Sequence, residues 1–296
     1  MNLLNEISNK KYCVTCGSGT DALIISLLAA GIQPNDEVLV TNFSWISTAS
    51  AISTIGAVPV FCDINDKYFI DIDSIKRMYS SKCKAVIVTP LYGDVFDLSD
   101  IKQFCLDHNM FLLEDSAQAV GNPLNGDISI ISFNTNKTIN GPSGGGAMLT
   151  DDEELASKCT LLRRHGKTDD DFIMLGLNSI MPKDSELEIV NQLNRFNDII
   201  KQRQEAAALY DDYFQEMHST YNNHKYVIRV EDRDFAKKAI PGSQIHYPRP
   251  LSEYSLYKFL PHRKDNCVES QKACDTVLTL PLNNVEETLK ILPICM

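Results

Sequence analysis

No run of about 18 apolar residues, the length a membrane-spanning helix needs, occurs in the 296 residues. The first residues, Met1 to Glu6, carry no basic stretch followed by an apolar one, so no secretory signal is read there. Positive charge is scarce. The 28 Lys and Arg face 39 Asp and Glu, a formal net charge of −11. Such a surface repels phosphate backbones and anionic lipid, which excludes nucleic acid and membrane as general partners. It leaves room for an anion in a local pocket. The nine cysteines are odd in number and mostly sit inside apolar runs, as at Cys62, Cys105 and Cys159. They read as reduced, buried thiols of a cytoplasmic protein, not as a disulfide framework. Cys13-Val14-Thr15-Cys16 is a lone C-x-x-C without a second pair or a histidine at zinc spacing, so no metal site is expected.

What is present is ordinary globular material: 44% apolar and 23% charged residues, enough for a sizeable core. The length suggests two packed units, placed at 1–183 and 184–296. Short apolar runs at Lys11–Cys16, Glu37–Thr41, Val58–Asp63, Lys84–Thr89 and Met110–Glu114 read as strands. Helical patterns at Thr20–Gly31, Ser44–Ile55 and Leu98–Asn109 separate several of them. Runs without polar alternation, spaced by helices, predict an α/β fold: a mostly parallel central sheet with helices on both faces. Right-handed crossovers then gather the strand C-termini along one edge, where ligands of such sheets bind. Beyond that come strands at Asp127–Phe133 and Gly145–Thr150, a helix at Asp151–His165 and one long helix at Ser185–Met217. A smaller αβ unit follows, with strands near Lys225–Val230, Gln244–Tyr247 and Val277–Leu280.

Four motifs carry chemistry. Gly17-Ser18-Gly19-Thr20-Asp21-Ala22 fits the G-x-G-x-x-A dinucleotide fingerprint at a strand-to-helix turn. The next strand, Val38–Asn42, ends without the acidic residue that would hold a ribose. What survives is a phosphate at backbone N–H groups of a helix N-terminus, or simply a tight turn with Thr20 as helix cap. Gly141-Pro142-Ser143-Gly144-Gly145 spells a nucleophile elbow, but it follows a loop and leads into a strand, the wrong context for a hydrolase. Leu112 to Ala119 places Asp115 and Gln118 just past a buried strand. Finally, Ser132 ends a strand and Lys137 follows it on a loop. A lone lysine is usually solvated. One that lies beyond strand-end hydroxyls and downstream of a strand-end aspartate fits the Schiff-base lysine of pyridoxal 5'-phosphate.

The order Gly-Ser-Gly-Thr, Asn42-Phe43-Ser44-Trp45, Glu114-Asp115-Ser116-Ala117-Gln118 and Ser132-Phe133 with Lys137 resembles the DegT/DnrJ/EryC1/StrS family. Its members are fold-type I, pyridoxal-phosphate-dependent aminotransferases of nucleotide-linked keto-sugars. Supporting stretches are Gly56 to Asp63, Leu91-Tyr92-Gly93-Asp94, Arg164-His165-Gly166 and Ile245-His246-Tyr247-Pro248. The resemblance implies that Lys137 carries the cofactor, Asp115 pairs with the pyridine nitrogen and Gln118 bonds the phenolic oxygen. Trp45, the single tryptophan, would stack on the ring. Gly19, Thr20 and Ser132 would hold the phosphate, joined by Asn178 from the neighbouring subunit of a homodimer with shared sites. His246 resembles a histidine near the sugar. The implied reaction transfers an amino group, with glutamate as donor, to a keto carbon of a nucleotide-linked deoxysugar. C4 is the expected position because Phe43-Ser44-Trp45 resembles the 4-keto-sugar enzymes. The rival is a cofactor-binding regulatory or scaffold protein that has lost catalysis. The chain departs from the family pattern in its short loop at Gly121–Gly126 and in Ile180 to Asp184.

Overall fold

The apolar runs form strands whose alternate residues serve two separate cores. In the computed structural model, which describes residues 2–217 and 220–295, Val38 and Val40 face one side of a sheet while Leu39 faces the other. The chain opens with α1 (Asn2–Ser8), β1 (Tyr12–Cys16), α2 (Gly19–Ala29), β2 (Glu37–Thr41), α3 (Ile46–Thr54) and β3 (Val58–Cys62). It continues through α4 (Ile72–Met78), β4 (Cys83–Val88), α5 (Ser99–Asp107), β5 (Phe111–Asp115), β6 (Ile128–Ser132) and β7 (Gly146–Thr150). Next come α6 (Glu153–Leu162), α7 (Lys183–Leu193), α8 (Phe196–Phe214), β8 (Tyr226–Arg229) and α9 (Arg233–Ala239). The last elements are β9 (Arg263–Lys264), α10 (Val268–Thr276), β10 (Val277–Leu280) and α11 (Val285–Cys295).

The 8-stranded sheet has the order β1-β7-β6-β5-β4-β2-β3-β9, and β7 runs against both of its neighbours while the remaining pairs are parallel. On one face Leu23 and Leu27 of α2 and Ile52 of α3 pack on Val40, Ile87 and Leu113. On the other, Ile75 of α4 and Ile101 and Cys105 of α5 cover Leu39, Val86 and Leu112. Burying both faces explains why these strands are apolar without alternation. The fold is thus the α/β architecture expected. The pair β8–β10 is antiparallel and carries its own core of Tyr226, Ile228 and Leu278 under Tyr210 of α8 and Leu292 of α11. We propose that the smaller unit of residues 184–296 is organised around this pair.

Two elements differ from expectation. The single helix over Ser185–Met217 is two, α7 and α8, broken at Asn194 and Arg195. Ile189 and Leu193 pack against Ile131, Phe133 and Leu149 of the large sheet, whereas Ala207 and Tyr210 pack on the β8–β10 core. One straight helix cannot bury stripes in both. Gln244–Tyr247 is not a strand: it forms one bridge, Gln244 to Thr279, and then turns away before Pro248. That turn frees His246 and Tyr247 for the cavity described below.

Glu114 explains how the short loop after β5 is held. Its carboxylate, 3% exposed, accepts from the N–H groups of Asn125 (2.8 Å) and Gly126 (3.0 Å) and from the hydroxyls of Ser129 (2.8 Å) and Ser116 (3.0 Å). Removing the acceptor strands several buried donors, each costing about 1–3 kcal/mol. Glu114→Ala should therefore lose on the order of 3 kcal/mol or more in urea unfolding. A loss under about 1 kcal/mol would mean that the loop holds itself.

Candidate active site

Parallel strands deliver their C-termini to one edge, and that edge carries a cavity of about 530 Å³. At its β1–β6 side the turn after β1 brings α2 against the end of β6. Ser18 caps α2, its Oγ accepting from the N–H of Asp21 at 3.0 Å, so the cap is Ser18 and not Thr20. The Thr20 hydroxyl instead donates to Ser47 Oγ at 2.9 Å. The N–H groups of Gly19 and Thr20 precede the first backbone bond of the helix, made by Ala22 to Ser18, and so are available for an anion. Glycine is required at 19 by space: a Cβ there would lie 2.8 Å from Ser132 Cβ. The helix end can rest on the strand end only because nothing projects between them.

Asp115 closes β5 and is 4% exposed. Its Oδ2 accepts from Thr48 Oγ1 at 2.7 Å, and Thr48 is 3.0 Å from the Ser44 hydroxyl. Burial pushes the Asp115 carboxyl above the usual range, opposed by the Thr48 hydrogen bond and by the charge of Lys137. Lys137 follows the end of β6, its N–H bonded to Asn134 O at 2.9 Å and its carbonyl accepting from Asn140 Nδ2 at 3.0 Å. Burial lowers its amine to about 8, with Asp115 acting in the opposite direction and Lys225 adding to the fall. A lysine near that value is substantially a free amine at mildly alkaline pH, which an ordinary lysine is not.

Gln118 is fixed at both ends of its amide: Oε1 accepts from the N–H of Tyr92 at 2.9 Å and Nε2 donates to Tyr247 Oη at 2.8 Å. His246 brings Nδ1 to 3.0 Å from Thr279 Oγ1, and burial drives its ring down to about 4, so it is neutral at pH 7. The segment carrying both rings is held down by Asn42 at the end of β2, which accepts from the N–H of Ser252 at 2.8 Å and donates to its hydroxyl at 3.1 Å. Trp45 sits at the start of α3, 61% exposed, with its ring centroid 6.5 Å from that of Tyr247.

Gly19, Thr20, Trp45, Asp115, Gln118, Ser132, Lys137 and His246 thus line one cavity. Asn178 does not line it within the chain; it lies exposed beside Ser179, whose hydroxyl bonds the N–H of Gly17 at 2.8 Å and Asp21 at 2.6 Å. Ser143 of the elbow-like motif donates to Asp184 at 2.6 Å and leads into β7, the wrong geometry for a nucleophile. The C-x-x-C cysteines both lie in β1, with thiols raised to about 12 by burial. Sequence reasoning overlooked Thr48, Tyr247 and Lys225, all of which line the cavity. Ser44 and Thr48, four residues apart at the start of a helix, were the one readable hint of a hydroxyl pair. Nothing local marks Lys225.

Residues 2–290 match the model of the DegT/DnrJ/EryC1/StrS aminotransferase family. The chain is 31% identical to the pleiotropic regulatory protein of Geobacillus stearothermophilus, over 93% of this chain and 81% of that one. It is 32% identical to the UDP-N-acetyl-3-dehydro-alpha-D-glucosamine 3-aminotransferase of Acidithiobacillus ferrooxidans, over 93% and 80%. The crystal structure of ntda from Bacillus subtilis with bound cofactor PMP superposes with a TM-score of 0.85 at 25% identity, covering 97% of this chain and 77% of that one.

Proposed function

Because the chain belongs to the DegT/DnrJ/EryC1/StrS aminotransferase family, we propose that its cavity holds pyridoxal 5'-phosphate and transfers an amino group from glutamate to a nucleotide-linked keto-deoxysugar. The observation that carries this is the pairing of a buried carboxylate, Asp115, with a lysine amine lowered to about 8 in the same cavity. The residues fit the cofactor. Gly19 leaves a cradle against Ser132 that a Cβ would fill, and the open N–H groups of Gly19 and Thr20 suit its phosphate. The buried Asp115 suits a protonated ring nitrogen, whose positive charge would bring the carboxyl back down. When bound, the cofactor supplies a conjugated system that takes up the electron pair left at a carbon that loses its proton.

The chain's own groups do the remainder. Lys137, as a free amine, carries a proton from one carbon to another. Asp115, oriented by Thr48, keeps a proton on the ring nitrogen. Gln118, with one amide hydrogen on Tyr247, has a second to offer the phenolic oxygen. Trp45 covers one face of the ring and excludes water there. His246, neutral and held by Thr279, stands where the sugar enters.

On Phe43-Ser44-Trp45 we place the acceptor carbon at C4. The Acidithiobacillus relative is named for a 3-dehydro sugar, so matched 3-keto and 4-keto acceptors belong in one assay. The test is a half-reaction: glutamate added to the loaded protein should convert the aldehyde form of the cofactor to the amine form and release 2-oxoglutarate. The rival is a cofactor-binding regulator without turnover, favoured by the name of the Geobacillus relative. Loaded protein whose cofactor stays in the aldehyde form with glutamate and with every other amino-acid donor would favour the rival.

We propose further that the working unit is a dimer in which Asn178 reaches the neighbour's phosphate. The segment around it presents apolar side chains to solvent, Leu175 at 94% exposure and Phe172 at 64%, which a partner would cover. Asn178→Ala should weaken cofactor retention. Mixing it with inactive Lys137→Ala should restore some activity, because one hybrid site then has both groups intact. No gain after verified subunit exchange would remove Asn178 from a shared site.

A further inference from the structure

The roles proposed above leave one cavity lysine, Lys225, without a task. Its main chain is clamped. The N–H donates to Tyr92 O at 3.2 Å, and Arg203 donates to the carbonyls of Asn223 (2.8 Å) and His224 (2.7 Å). Asn222 donates to the carbonyls of Gln118 and Val120, each at 3.1 Å. These bonds fix the point at which the lysine stem leaves the backbone, on the side where the chain emerges from β4 and β5. The phosphate-type cradle of Gly19 and Ser132 belongs instead to the ends of β1 and β6.

The charge of Lys225 has no visible counterpart. Among the described residues, no carboxylate pairs with its Nζ within 4.0 Å. Asp115 is the one carboxylate among the residues lining the cavity, and Thr48 and the ring nitrogen account for it. The other titratable groups facing the space are Lys137, His224, His246 and Tyr247; burial keeps both histidines neutral and holds the Tyr247 phenol protonated, so none of them brings negative charge. A chain with 39 acidic residues places no second one there. A half-buried cation without a partner is costly unless a ligand supplies the anion.

We propose that Lys225 forms a carboxylate-binding subsite, taking a carboxylate of the substrate on the β4–β5 side of the cavity. The identity of the substrate rests on the aminotransferase reading; the existence of the subsite does not. Two substrates can bring the group: the amino-acid donor, or a nucleotide sugar of the uronate type.

Lys225→Met keeps the stem and removes the charge. Loaded and assayed at a pH where Lys137 is the free amine with or without that charge, it should show the wild-type absorption spectrum, while half-saturation by the substrate that brings the carboxylate rises about 10- to 100-fold, as for loss of a charge-assisted hydrogen bond. Glutamate against its amidated and decarboxylated counterparts forms one arm. A keto-sugar nucleotide against its uronate form is the other, and the arm that responds names the source. In parallel, glutarate is titrated calorimetrically into protein free of cofactor, with binding expected for the wild type and lost in Lys225→Met. That titration reads the subsite even if no cofactor ever loads, so the two readings fail separately. Lys225→Met that weakens carboxylated and neutral substrates alike, that impairs cofactor uptake, or that leaves both half-saturation and glutarate binding unchanged overturns the subsite.

Discussion

Lys137→Ala should reduce amino transfer from glutamate by at least about 10³-fold, the upper part of the range for losing a positioned proton-transfer group. The lysine has two proposed tasks, holding the cofactor and moving a proton between carbons, and alanine performs neither. The cavity itself should survive, because Lys137 contributes only main-chain bonds to its loop, to Asn134 and Asn140. Cofactor can then still bind through the Gly19, Thr20 and Ser132 end, non-covalently. A small exogenous amine should restore part of the rate, since it can carry the proton through the space the side chain vacates. The pH dependence follows from the amine. Burial lowers Lys137 to about 8, so the free amine dominates above that pH and is protonated below it. Capture of the cofactor aldehyde by the cofactor-free protein should therefore rise as pH passes about 8 and level off above it. A solvated lysine would not level off until near its ordinary value of about 10.4. Stopped-flow absorbance across pH 6.5 to 10, a range of roughly two units on either side of the shifted value, separates the two.

Asp115→Asn should lower the same half-reaction by about 10²- to 10³-fold, comparable to removing one preorganised electrostatic group from an active site. The amide is nearly the same shape, and it can still accept from Thr48. It carries no charge to hold a proton on the ring nitrogen. Folding and cofactor uptake should be close to normal, because burial already raises the carboxyl and so makes its charge a burden on the cofactor-free fold. Unfolding of the cofactor-free variant in urea should show little loss. The half-reaction and the spectrum of the bound cofactor carry the test. A rate within about threefold of wild type would take Asp115 out of the role.

The strands and the ends of strands were legible because burial on both faces leaves a plain signature in Val38-Leu39-Val40, in Val86-Ile87-Val88 and in Leu112-Leu113. Knowing where such strands stop places Asp115, Ser132 and the Gly17–Thr20 turn at one edge without coordinates. What was not legible depends on distance along the chain. Thr48 meets Asp115 across 67 positions and Gln118 meets Tyr247 across 129, and no local pattern announces either bond. The break at Asn194 and Arg195 was hidden for a different reason. Both sides of it are good helix formers, and only the presence of two separate cores requires the chain to bend. The region Gln244–Tyr247 misled because an apolar, aromatic run reads as a strand. Here its side chains are committed to the cavity and to Gln118.

The most direct test of the central claim, a cofactor held on Lys137 in the cavity at the strand ends, is borohydride reduction of the loaded protein followed by peptide mass analysis. A single stable pyridoxyl adduct is expected on the peptide containing Lys137, absent from Lys137→Ala. An adduct on Lys225 or on any other lysine, or no adduct after reconstitution with pyridoxal 5'-phosphate, would contradict the claim.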